Sequence, residues 1–92
     1  MGEEISKRDV VYESALQLWA AAQTNFDPYQ VPPAEWGDGV VAVRDVDIAT
    51  DAKLDLETVR AGLRDLDGRR LVIGYDAGTL SVKAPIPEDG PL

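Results

Sequence analysis

Apolar residues recur along the chain with two different periods, and each change of period marks an element. Between residues 6 and 23, Val11, Ala15, Leu18, Trp19 and Ala22 follow i, i+4, i+7, i+8, i+11, the stripe of an amphipathic helix. Ser6 is placed to cap it, with Asp9 in the first turn near the positive end of the helix dipole. Trp19 then reads as a core anchor. A second helical stripe runs through Val59, Leu63 and Leu66, opened by Asp55 as cap. Just before it, Ile48 and Ala49 face inward from a short helix that starts near Asp45, which reads as that helix's cap. Leu54 closes the turn between the two helices.

The period falls to two elsewhere. "VVAV" at 40–43 is a short β-branched run, and "LVIGYDAGTLSVKA" at 71–84 holds two strand-like runs around "DAG". That pattern predicts a hairpin with glycine at the residue needing positive φ, and with Leu80, Val82 and Ala84 alternating inward. Between the first helix and "VVAV", residues 25–39 carry three prolines and two glycines, which break regular structure. They also carry Phe26, Tyr29, Val31 and Trp36. A segment so rich in aromatics is expected to fold back over one end of the core, with one helical turn at Pro33 to Trp36. The competing reading makes Tyr29 and Trp36 part of a partner-binding surface. "PIPEDGPL" has no periodicity and reads as a disordered tail or linker at 85–92, which leaves 1–84 as one domain.

The 92 residues suffice for one small domain, and 45% are apolar, too many for intrinsic disorder. The order of elements gives an α+β fold. Charge then constrains function. With a formal charge of −8 the chain repels a phosphate backbone or an anionic membrane unless its few cations share one face. Histidine and cysteine are both absent, which removes the commonest general base, the commonest metal ligand and any thiolate or disulfide chemistry. Ser14 and Ser81 have no histidine to activate them. "GDG" precedes a strand instead of following one, so it is not a phosphate loop. "DVDIATDAKLDLE" begins like a calcium loop, but Ala49 takes a ligand position and Thr50 the glycine position. No catalytic, metal or cofactor site is therefore expected. No stretch is apolar enough to span a membrane, and "MGEEISKRD" is charged where a signal peptide is apolar, so the expected location is cytoplasmic.

The segment "IATDAKLDLETVRAGLRDLDGRRLV" resembles the winged helix-turn-helix family. An Ile-Ala pair, Leu54, a capping Asp55, then Val59, Leu63, Leu66 and the "LV" of a strand stand in the family's order without a gap. The resemblance covers residues 6 to 84 and implies three helices with a small antiparallel β-hairpin wing. Two positions depart from the pattern: Lys53 and Arg70 stand where glycine is usual. Gly68 is expected to take the left-handed conformation at the second, ending the helix near Asp67.

The resemblance also implies a regulatory, non-enzymatic DNA-binding module in which the helix from Leu56 to Asp67 enters DNA. Its outward positions would include Leu56, Glu57, Thr58, Arg60, Ala61 and Arg64. Arg60 and Arg64 would then read or clamp DNA, with Thr58, Lys53, Arg69 and Arg70 contacting the backbone. Against this, the five cations of residues 51–70 are balanced by five carboxylates, whereas a DNA-binding element is normally positive. The alternative is an acidic protein-interaction module on the same scaffold, including an inhibitor that imitates nucleic acid. It would use Tyr29, Trp36 and Leu56. A homodimer along the first helix is a further expectation.

Overall fold

A computed structural model describes residues 7–37 and 39–86. Helix α1 spans Lys7–Ala22, α2 Asp45–Ala52 and α3 Leu56–Leu66, with a single 3-10 turn at Pro33–Glu35. Strands β1 (Val43–Arg44), β2 (Leu71–Asp76) and β3 (Thr79–Pro85) form an antiparallel sheet in the order β1-β3-β2. The fold is α+β, and the order of elements is the one the periodicity predicts. The sheet has a third strand beyond the expected hairpin, because β1 pairs with β3 through Val43–Val82 and Arg44–Ser81. No described helix is long and apolar enough to cross a membrane.

The helices close on the sheet around one core. Val11, Ala15 and Trp19 of α1, Ile48 of α2, and Val59 and Leu63 of α3 are fully buried with Leu71 and Val82 of the hairpin. Each large side chain so buried contributes about 1.5–3 kcal/mol. Leu18 and Ala22, the remaining members of the α1 stripe, are only half-buried at the core's edge. Helices α1 and α3 approach closely at Gly62, where a methyl group would lie 3.2 Å from Val11 Cγ2. The expected cap at Ser6 lies outside the described residues.

The segment 25–39 does fold back over the core. Trp36 is buried, its ring centroid lies 5.0 Å from that of Trp19 and 5.5 Å from that of Phe26, and its Nε1 donates to Val31 O at 2.7 Å. The partner-binding role expected of Trp36 is thus corrected: its indole is a core group. Tyr29 of the same segment stays exposed.

Two strand expectations also need correction. "VVAV" forms only the two-residue β1, because the Gln23 side chain occupies Val41 on both sides. Its Oε1 accepts from Val41 N at 2.8 Å and its Nε2 donates to Val41 O at 2.7 Å, the pair of bonds that a neighbouring strand would make. On β3 Leu80 and Val82 are buried and Ala84 is partly buried against the core, as the alternation predicts, but the strand carries a bulge after Val82. Ile73 pairs with Val82 and Val72 with Ala84, so Lys83 is an extra residue and the bulge moves Ala84 beside exposed Val72. Strand β3 also crosses the boundary expected after residue 84: Pro85 is buried, and Ile86 N donates to Arg70 O at 2.8 Å.

Turns follow the residues that can adopt them. Gly68 takes φ +78°, as expected, and α3 ends with Asp67 as C-cap. The tip of the hairpin has φ 38° at Ala77 and 85° at Gly78, so both central residues are left-handed, as a two-residue hairpin turn requires. At the α2–α3 turn Lys53 itself is left-handed (φ 59°). A side chain there costs about 1 kcal/mol that glycine avoids. Replacing Lys53 with glycine should therefore raise stability by about 0.5–1 kcal/mol in urea denaturation; a loss would mean that the lysine side chain makes a compensating contact.

Candidate nucleic-acid interface

Helix α3 begins where Asp55 leaves extended backbone. The carboxylate of Asp55 accepts from Thr58 N at 3.4 Å and from Thr58 Oγ1 at 2.7 Å. The Thr58 bond is the main cause of a lowered Asp55 pKa. The expected cap is present, and it occupies the Thr58 hydroxyl that was a candidate phosphate donor. With Val59, Gly62, Leu63 and Leu66 buried, the outward face of α3 carries Glu57, Ala61 and Arg64. Leu56 is half-buried at one flank rather than outward.

Arg60 lies on the flank toward α2 and turns inward. Its Nε donates to Asp45 Oδ2 at 2.8 Å, and Leu80 N donates to the same oxygen at 3.0 Å. Asp45 is 0% exposed, and the Arg60 side chain 22%. One carboxylate thus joins α2, α3 and β3. One expectation is corrected here. Asp45 does not cap α2: the N-cap is Arg44, which makes no capping bond, and Asp45 is the first helical residue. The Arg60 Nε is bonded inside the domain and unavailable to a ligand. Arg60 pairs with neither Glu57 nor Asp67 but with a residue of another helix.

Burial alone would push the Asp45 carboxyl up, yet the bonds from Leu80 N–H and Arg60 outweigh it and hold the carboxyl below the usual 3.8. Asp45 Oδ1 has no hydrogen-bond partner among the described residues, and the Val46 backbone N–H adds a smaller lowering to those of Leu80 and Arg60. Asp65 is likewise lowered, chiefly by its bond from Arg8 at 2.7 Å. All three shifts are downward in the folded state. Their contribution is therefore complete above the unfolded carboxylate value and is lost as pH falls through the folded values. Thermal melts should be flat from about pH 7 to 5 and fall steeply below about pH 4. Asp45→Asn should make that acid limb shallower; an unchanged limb would remove Asp45 from the account.

Of the other candidate cations, Arg69 and Arg70 line one depression together with Arg8, Asp9 and Asp65. The Arg70 guanidinium lies over the Tyr12 ring of α1, 5.0 Å from its centroid. Arg69 is exposed on the Asp65 side, where it helps lower that carboxyl. Lys53 is exposed at the opposite end of α3. Arg64 is exposed and makes no ion pair among the described residues. Asp67, three residues on, is occupied elsewhere: Oδ1 accepts from Ile73 N at 3.2 Å and Oδ2 from the Tyr75 hydroxyl at 2.9 Å. That bond also raises the Tyr75 pKa. The hairpin tip, Asp76 to Thr79, carries no cation.

Of the six candidate DNA contacts, then, three have internal roles: Thr58 in a cap, Arg60 on Asp45 and Arg70 on Tyr12. Lys53, Arg64 and Arg69 are exposed, Arg64 on α3 and the other two beyond its ends. Sequence reasoning missed Asp45, Gln23 and Asp67 as organisers. Asp45 left one trace, its place between Val43 and Ile48, both of which are buried. Among the described residues no group of three acidic side chains is arranged to hold a metal ion. Comparison of the chain with protein-family models, with curated proteins and with solved structures gives no match.

Proposed function

We propose that the chain is a non-enzymatic winged-helix module that works by docking another protein, with a cytoplasmic location as part of that reading. The scaffold half of the proposal is supported by the order helix, strand, two helices, hairpin, with β1 beside β3. Fold alone does not fix function, so the second half is argued from the α3 face. The observation that carries it is the Arg60–Asp45 bond. It turns inward the cation that would stand beside Arg64, and it leaves Glu57, Ala61 and Arg64 as the exposed face. A single outward arginine next to a glutamate, in a chain of charge −8, attracts DNA weakly.

The DNA-binding regulatory reading stands second, favoured by Arg64, which is exposed and unpaired by any described carboxylate. Titration of a labelled mixed-sequence duplex, followed by fluorescence anisotropy at about 50 mM salt, separates the two, because phosphate contacts are strongest at low salt. The docking reading predicts no saturable binding at micromolar protein. Saturable, salt-sensitive binding that Arg64→Ala abolishes without loss of helicity would reverse the order.

A further inference from the structure

Helices α1 and α2 pack side by side with a shallow groove along their seam, crossed by the bond from Ser14 Oγ to Asp51. Two depressions, of about 510 and 440 Å³, lie along it on either side of that bond and share Asp51. The floor is apolar: Val10, Leu18 and Ala22 on α1, with Ala42 and Ala52 opposite. Val10, Ser14, Leu18 and Ala22 stand four residues apart, so this row follows one face of α1 for about 18 Å. The rim is acidic, with Asp9 and Glu13 on α1 and Asp47 and Asp51 on α2, and no lysine or arginine lines either depression. Asp51 is held in place by Ser14 Oγ, which donates to it at 2.6 Å. Asp47 has only a 3.9 Å contact with Arg44, both side chains being mostly exposed. A partner cation could replace that contact at little cost.

We infer that this groove between α1 and α2 docks a basic amphipathic helix of another protein, about three turns long. The inference rests on the docking reading above and gives it a face and a partner chemistry. Apolar side chains on one face of that helix would enter the two depressions on either side of the Ser14–Asp51 bond, against Val10 in one and Leu18 and Ala22 in the other, and flanking lysines or arginines would meet the four carboxylates. A second copy of this chain is a poor occupant, because it brings the same charge of −8 to an acidic rim.

The test uses two synthetic helical peptides of about 12 residues, the length that spans the groove. One carries leucines at helical spacing flanked by lysines; in the other, glutamates replace the lysines. Binding is followed by amide chemical shifts of the full chain. The lysine peptide should bind and shift residues of α1 and α2 along the groove, and the glutamate peptide should not bind. Glu13→Lys with Asp47→Lys should weaken binding at least about tenfold, whereas Asp27→Lys with Glu35→Lys, equal in charge but away from the groove, should leave it within about twofold. Circular dichroism confirms that both variants are folded. An equal loss in both variants, shifts confined to α3, or no binding at about 1 mM would overturn the groove assignment. Shifts at α3 would leave the docking reading standing; duplex DNA binding through Arg64 would remove that reading itself.

Discussion

Replacing Arg60 with alanine should destabilise the domain by about 3 kcal/mol, far more than loss of a surface ion pair, which costs under about 1 kcal/mol. The reason lies in Asp45. Its carboxylate is fully buried, and without the guanidinium its Oδ2 keeps only the Leu80 N–H. The position of Asp45 in the first turn of α2 offers some help from the helix dipole, and water entering the space left by Arg60 offers more. Both keep the cost toward the low end of the range for breaking a buried pair. For a domain of this size the melting temperature should fall by about 10–20 °C. Arg64→Ala, a few positions along the same helix, should change stability by less than about 0.5 kcal/mol. The contrast bears on function. Loss of binding after Arg60 is changed would report unfolding, so only Arg64 gives a clean test of α3 as a DNA contact.

Trp36→Ala should cost about 3 kcal/mol, within the range for removing a large aromatic from a core. The Trp36 indole stacks on Phe26 with an interplanar angle of 19°, meets Trp19, and donates to Val31 O. Its removal releases the segment 25–39 from the end of the core and exposes the Trp19 ring. Near-ultraviolet circular dichroism should lose intensity together with stability. Tyr29→Ala in the same segment should be almost neutral, because Tyr29 is 52% exposed. If Trp36→Ala left stability intact while breaking a complex, Trp36 would belong to an interface after all.

How much of this was legible in the sequence follows from what each residue depends on. The apolar scaffold was readable because period and burial are linked locally: Val59, Leu63 and Leu66 can share a face only on a helix, and they do. Local chemistry was readable too, as in the Asp55 cap and the left-handed Gly68. Asp45 was misread because an aspartate at the start of a helix looks like a cap. Its actual partners, Arg60 and Leu80, are 15 and 35 residues away, and only tertiary packing brings them close. The same holds for Gln23, which serves Val41 as a strand would. Lys83 is an extra residue of β3 at a bulge that no local pattern announces. For the candidate site, charge composition correctly raised the conflict between arginines and carboxylates. It could not say which arginine would turn inward, because that depends on which carboxylate is buried.

The central claim is that Arg60 serves the fold through Asp45, and a double-mutant cycle tests it directly. Urea stabilities of the wild type, Asp45→Asn, Arg60→Met and the double variant give the coupling between the two side chains. The account predicts a coupling of about 2 kcal/mol, with Arg60→Met costing much less once Asp45 is already uncharged. A coupling near zero, with the two losses simply adding, would contradict it and return Arg60 to the set of outward, ligand-facing residues.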